Sequence, residues 1–498
     1  GDAVVASINS RDKLSSVTWD GNVTAIDGSA VNAFAAAGGI NLDLTGDFTA
    51  NSAVGSNDVN TISALTYGGG DLVIAVDGDV SRGFTPGGTT GRAISAVSRG
   101  NSGITVNTTG QITSSGTGIY ADSLGSRAIS VNHLGDITAG YNDQSVTDAT
   151  ADGVHVSATS AQVDVTTQGD ITAAKDGISI SSLGSLSPLT VQHTGSITSG
   201  RDGVHVSTLG AKVGITTEGD ITAVGTGIYA QATDNIDITV DGGVVSGANA
   251  IEFDGGFINS LTNYGTVESE SGYAVKASNS NTSIVNYGLI KGNMLLSAWD
   301  NEVLNATDAE FDMGTEVNLG AWNILTNDGL IKIGTNNEIA NTALTGSLEN
   351  NPDGVLAYDI NMALEDADQI TITDGEALLD GGVALHFAAL SNTLPQSYTL
   401  VSAEDGVTLL GIETLNPFVL NTITNPDDQS AVLNITGFDF APEGIIGNGR
   451  QVGLHLTDAF PRVGTDLSEL TAALASLTSI EDGQAALDQL SPEVELDR

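Results

Sequence analysis

A tripeptide of glycine, any residue, then isoleucine or valine returns along most of the first 350 residues. Its spacing constrains the fold more than any other feature of the chain. The glycines are Gly21, Gly46 (where Phe48 takes the third place), Gly78, Gly110, Gly135, Gly169, Gly195, Gly219, Gly243, Gly265, Gly288 and Gly329. From Gly110 onward the intervals are 25, 34, 26, 24, 24, 22, 23 and 41 residues. The 34-residue interval carries a polar insertion, Tyr141 to Thr150, and the 41-residue interval has room for a coil that lacks the motif. Within one period three short runs alternate apolar and polar residues; around Gly195 they read LTVQHTG, GSITSG and DGVHVST. Alternation of this kind turns every second side chain to one face of a strand.

Three strands of four to six residues with their turns fill a period of about 24 residues. Each strand must then pair with its equivalent one repeat later, in parallel and in register. The expected fold is all-β: a right-handed, three-faced parallel β-helix, the hand following from the bias of parallel crossovers. Propeller blades need roughly 40–50 residues per repeat, and leucine-rich repeats need a leucine framework that this chain lacks. The turn glycines, among them Gly110, Gly135, Gly169, Gly195 and Gly219, suit corners that require positive φ. Asn263, Asn286 and Asn327 stand two residues before such a glycine, where asparagine tolerates the left-handed region or forms side-chain ladders along a stack.

Composition agrees. The chain holds 62 glycines and 9 prolines, with only 15% charged residues, too apolar for disorder and too glycine-rich for a helical bundle. Fifteen basic residues against 61 acidic ones leave a net charge of −46. No basic stripe exists to neutralise phosphates, so nucleic acid is excluded as a partner, and an anionic membrane would repel the chain. There is no cysteine, and no run of 18 apolar residues that would span a bilayer as a helix. The first residues show no signal-peptide pattern; an exported chain would already have lost it.

The organisation expected is a repeat region over 1–350, a β cap over 351–460 and a helical segment over 461–498. The 24-residue period fades after Asn351, where longer strands occur, and a solenoid has to cover its last open edge. Leu467, Leu470, Leu474 and Leu477 form one helical stripe, with Asp466 and Glu469 as a capping pair, and a second short helix is expected from Ile480 to Leu490 before Pro492.

The chain resembles the passenger of a type V autotransporter. Leu378, Gly381 and Gly382, followed by Ser397, Tyr398, Thr399, Leu400, Val401, Ser402 and Ala403, are similar to the pertactin-like autochaperone module. Ala485 to Glu493 resembles the helical stretch that enters the translocation barrel. This resemblance implies export through the periplasm of a Gram-negative bacterium and display at the cell surface or release. It implies the protein's own outer-membrane barrel as a partner during secretion, and adhesion, self-association or biofilm assembly as the function. The alternatives are a polysaccharide-degrading β-helix enzyme and a structural surface-layer or filament subunit.

No GxSxG elbow, HExxH, P-loop or GDSG-like serine-protease signature occurs. Asp152, Asp176 and Asp202 precede the glycine of a turn in three successive coils, so their carboxylates should stack about 5 Å apart. That spacing fits turn chemistry, a calcium or salt-bridge ladder, or glycoside hydrolysis. A second acidic row, Asp136, Asp170 and Asp220, is interrupted by Ser196. His133 and His193 are two coils apart, as are His155 and His205, too far to share one zinc. An outward row of Tyr120, His155, Ser179, His205, Tyr229, Glu252 and Lys276 could grip a glycan, a protein or another copy of the chain. Trp299 and Trp322 read as packing residues.

Overall fold

The computed structural model describes residues 3–8, 14–26, 28–51, 59–83, 91–142, 145–146, 148–184, 187–334, 339–460 and 465–490. It divides into two units, Gly1–Thr282 and Ser283–Arg498. Both are built on stacked parallel strands, and the chain is a parallel β-helix with short helices at its C-terminal end.

In the first unit each coil contributes three strands, as in Ile119–Ser123, Ile129–Leu134 and Ile137–Ala139. These pair in parallel and without slippage with Val154–Ala158, Val163–Gln168 and Ile171–Ala173 of the next coil. We call the three columns the first, second and third stacks. Alternation places Ile129 and Val131 inside and Ser130 and Asn132 outside. Ile104, Ile129, Val163, Leu189 and Val213 therefore form one interior row, each fully buried. Burying each such side chain contributes about 1.5–3 kcal/mol. The polar insertion leaves the coil as a small antiparallel pairing of Tyr141–Asn142 with Ser145–Val146.

The corner glycines behave as the repeat demands. Gly110, Gly135, Gly169, Gly195 and Gly219 take φ values of 93°, 140°, 124°, 127° and 116°. They also lie directly on one another: a Cβ at Gly135 would stand 2.1 Å from the carbonyl oxygen of Gly110. Gly265, Gly288 and Gly329 do not take positive φ. There the preceding Asn263, Asn286 and Asn327 point inward and bridge the corner, each amide donating to the glycine carbonyl at 3.1 Å. The left-handed alternative for these asparagines is thus not used; side-chain ladders are. In the second unit the ladder runs Asn286, Asn305, Asn327, Asn350, with amide-to-amide distances of 2.8, 2.8 and 2.7 Å.

Parallel stacking in the second unit continues past Asn351. Val303, Leu325, Leu348, Ala377 and Val407 succeed one another in the second stack, at intervals of 22, 23, 29 and 30 residues. The lengthened coils explain why the period fades in the sequence. Outside the second stack, Gln396–Ala403 follows Gln369–Thr373 in parallel and begins an antiparallel end, pairing with Ser430–Phe438, and that strand with Val419–Thr424. Helices α1 (Gly447–Ala459), α2 (Thr465–Ala475) and α3 (Ile480–Gln489) follow, so helix begins ahead of Pro461. They satisfy strand edges. Asn416 donates to the carbonyls of Leu385 and Ala475 and accepts from the Leu385 amide, while Ser476 accepts from the Phe387 amide. Ser479 caps α3 by accepting from the Asp482 amide at 3.1 Å. The side chain of Asp466, and Pro492 and Glu493, lie outside the described residues.

Two predictions follow from the interior. His133 and His193 sit inside the second stack, each bonded through Nδ1 to the hydroxyl of Thr108 or Thr167 at 2.8 Å. Burial pushes both imidazoles down to about 4 from the usual 6.5. The unfolded chain therefore binds protons that the folded chain refuses between about pH 6.5 and 4, so stability is highest above that window and falls through it by about 3 kcal/mol per histidine. Urea titrations across this range should show the loss, and H133T/H193T, which extends the row of Thr108, Thr167 and Thr217, should flatten it. Replacing Asn327 by Ala removes its ladder bonds to the Asn305 amide, which keeps the Leu330 carbonyl, and to the buried Oδ1 of Asn350, and should lower unfolding free energy by about 3 kcal/mol in the same assay.

Candidate functional site on the first stack

The outward row expected from the sequence is assembled by the register. Tyr120, His155, Ser179, His205, Tyr229, Glu252 and Lys276 are successive partners in the first stack. Adjacent coils place the rings flat on one another: Tyr120 on His155 with centroids 5.2 Å apart, and His205 on Tyr229 at 4.7 Å. Ser179 lies between the two stacks and is buried. The Arg92 guanidinium sits 3.3 Å from the centre of the Tyr120 ring.

Asp152, Asp176 and Asp202 stack beside this row and serve two purposes. One oxygen of each accepts the backbone N–H of the next coil: Asp176, Asp202 and Thr226 donate at 3.3, 3.3 and 2.9 Å. The carboxylates also engage cations. Asp152 holds His155 at 2.7 Å and Lys175 at 3.0 Å, and Lys175 reaches on to Asp176 at 3.1 Å. Arg201 grips Asp176 with both Nε and Nη2 and contacts Asp202 at 3.2 Å, which in turn holds His205 at 2.9 Å. Burial raises the Asp176 carboxyl, but the Arg201 hydrogen bonds and the Lys175 charge outweigh it and leave it below the usual carboxylate range.

This is turn chemistry joined to a salt-bridge ladder. Lys175 and Arg201 lie against these carboxylates, and among the described residues no group of three His, Asp or Glu is placed to hold a metal ion. The second acidic row plays the turn role alone: Asp136 and Asp170 accept the amides of Asp170 and Ser196 at 2.9 and 2.8 Å, and Asp220 that of Val244 at 2.9 Å. Further along the first stack Tyr229 donates to Asp254 at 2.9 Å and Lys276 pairs with Glu252 at 2.7 Å.

At the upstream end of the row lies a hollow of about 410 Å³, walled by Asn60, Arg92, Tyr120, Asp148, His155 and Lys175. Sequence reasoning found Tyr120 and His155 but missed Arg92, which lies just before Ile94–Ser98, the strand of the preceding coil that pairs with Ile119–Ser123, and so outside the alternating row. Among the described residues the Arg92 guanidinium has no carboxylate partner, which leaves it available on a chain of large negative charge. Two further features were not legible. Leu183 and Leu209 stand exposed at the same turn of successive coils. Trp299 and Trp322, expected to pack, are 60% and 64% exposed in the second unit. Trp322 takes a left-handed φ of 63° at a turn whose backbone is tied by its own amide to the Asp374 carbonyl, which aims its ring outward.

Substituting Asp176 by Asn would leave Lys175 and Arg201 short of a buried counter-charge. Because both cations keep access to water, the loss should be on the order of 2 kcal/mol. Asp136→Asn, which keeps an oxygen to accept the Asp170 amide and removes only an exposed charge, should cost less than about 1 kcal/mol by the same denaturant titration.

No family model matches the chain, and no curated protein matches it by sequence. Among solved structures, the crystal structure of the Haemophilus influenzae Hap adhesin is similar, with 9% identity, a TM-score of 0.29, and coverage of 84% of this chain and 64% of that one. The chain thus spans just under two thirds of the length of that adhesin, a likeness too slight to carry function across.

Proposed function

We propose that the chain is the surface-displayed passenger of an exported adhesin and works by many weak contacts along its repeated faces. The observation that carries this reading is the outward row of the first stack, where two pairs of stacked aromatic rings stand on one ladder with, at its upstream end, a guanidinium that has no carboxylate partner among the described residues and a hollow of saccharide size. Tyr and His rings offer flat apolar faces edged with polar groups, the surface a sugar ring stacks on. The exposed Leu183 and Leu209 ridge and the exposed Trp299 and Trp322 add apolar contact points that a solenoid has no structural need to leave in water. Contacts this small become useful through repetition, since each bound site raises the effective concentration of the next. The net charge of −46 keeps the chain from anionic surfaces and makes Arg92 the point where an acidic or hydroxyl-rich sugar is best met.

The test is binding of the full chain to immobilised glycans, with light scattering of the free protein at calcium levels from none to millimolar. The expected result is avid surface binding that drops about tenfold or more in a Tyr120→Ala/Arg92→Ala variant of unchanged fold. A monomer that binds no glycan surface, or binding untouched by that variant, would remove the basis for this site. Assembly that depends on calcium would direct attention from the ladder to self-association.

A further inference from the structure

The second unit holds a cavity of different character. Asp312, Lys332, Tyr358, Asp359, Asp368 and His386 line a space of about 380 Å³ where the coils begin to lengthen. Asp312 and Lys332 are neighbours across adjacent strands, as are Asp359 and His386. Asp368 comes from the strand that follows a short antiparallel turn, and its two oxygens accept the amides of Ala340 and Asp359 at 2.7 and 2.6 Å.

Two buried polar atoms of residues that line this cavity are left in want of a partner. Tyr358 is 1% exposed, and its hydroxyl makes no hydrogen bond. The buried Oδ1 of Asp312 makes none either. Beside them Asp359 holds His386 with one oxygen, at 2.9 Å. A buried hydroxyl without a partner is costly, and such a group in a natural interior asks for an explanation. Lys332 does not supply one, because it is bonded to Glu310 at 2.6 Å. The carboxyl groups carry the same signature: burial raises Asp312 to about 6 against the lowering charges of Lys291 and Lys332, with Glu310 adding to the rise. Burial likewise raises Asp368 to about 7, with Asp359 and Asp366 adding their charge and the two backbone bonds opposing it.

We propose that this cavity binds a primary ammonium group, carried by an amino sugar or by a lysine side chain. The two unsatisfied atoms are acceptors or can act as one, and the carboxylate of Asp359 adds an acceptor from a third side chain. A compact ammonium with three divergent N–H groups meets that arrangement better than a planar guanidinium, whose fork matches a single carboxylate. A metal ion is the wrong guest, since no three acidic or histidine ligands converge here among the described residues. The volume is that of a small-ligand pocket and admits one sugar ring or one side chain. Binding a cation favours the charged form of Asp312 and Asp368, so affinity rises with pH as these groups lose their protons; His386, raised by its bond to Asp359, sheds a competing charge over an overlapping range.

The experiment is isothermal titration of the full chain with matched probes that differ by one charge. D-glucosamine is compared with N-acetyl-D-glucosamine, and Nα-acetyl-lysine amide with its Nε-acetylated counterpart. Binding of the charged member alone, in either pair, supports the proposal and identifies the source. Affinity should rise several-fold from pH 5 to pH 7. Neither Asp312→Asn nor Tyr358→Phe breaks a hydrogen bond of the free protein, so both should fold, and each should weaken binding about tenfold. Tyr358→Phe should also leave the melting temperature unchanged or raised, the mark of a hydroxyl kept for a ligand. Equal binding of charged and uncharged probes, no binding of any, or variants that bind as the parent does would each overturn the proposal; the second would make this a water-filled hollow.

Discussion

The first unit depends on leaving one corner of every coil without a side chain. At Gly110, Gly135 and Gly169 the backbone turns with positive φ and lies so close to the coil beneath that any Cβ would enter a carbonyl oxygen. That contact sets the lateral position of each coil on its neighbour. Once it is set, parallel pairing runs without slippage through all three stacks, and residues equivalent in sequence become neighbours in space. The interior rows of Ile and Val, the aspartates that accept the next coil's amide and the outward aromatic pairs are all consequences of this one registration.

The same constraint decides what could be read from the sequence. In-register stacking turns a repeat alignment into a contact map, so Tyr120 beside His155, and His205 beside Tyr229, were legible from spacing alone. The stacking of Asp152, Asp176 and Asp202 was legible too. A salt-bridge ladder was among the readings, since Lys175 and Arg201 precede two of them; which carboxylates each cation bridges was not legible, because both side chains are long enough to choose among several. The asparagine corners were half legible: Asn286 and Asn327 sit where a special residue is needed, but whether the backbone or the side chain supplies the turn depends on which way the amide points. Trp322 was misjudged because a left-handed backbone turns outward a ring that composition would assign to the core.

The cavity around Tyr358 was illegible for a related reason. Asp312, Asp359 and Asp368 fall at no fixed interval, and they come together only because the coils there grow from 22–23 residues to 29–30. Extra length in one coil must leave the column, and its displaced segments bring side chains from non-equivalent positions into one space. Regular coils give rows, and irregular coils give pockets. A repeat protein thus keeps its extended surface and its enclosed site in different stretches of chain.

Polar residues inside the helix divide along the same line. In the first unit the interior polar row is Thr108, His133, Thr167, His193 and Thr217, where each histidine leans on one hydroxyl. In the second, Asn286, Asn305, Asn327 and Asn350 each donate to the next in an unbroken line. An amide both donates and accepts, so a ladder of asparagines propagates and penalises any slip of one coil against another. The imidazoles of the first unit do not propagate in this way, since Nε2 of His133 and of His193 has no partner, and in that unit the glycine corner already fixes the register. Where Gly288 and Gly329 lack positive φ, the asparagine ladder takes over the task of registration. The two units solve the same problem with different chemistry, one through absent side chains and one through paired side chains.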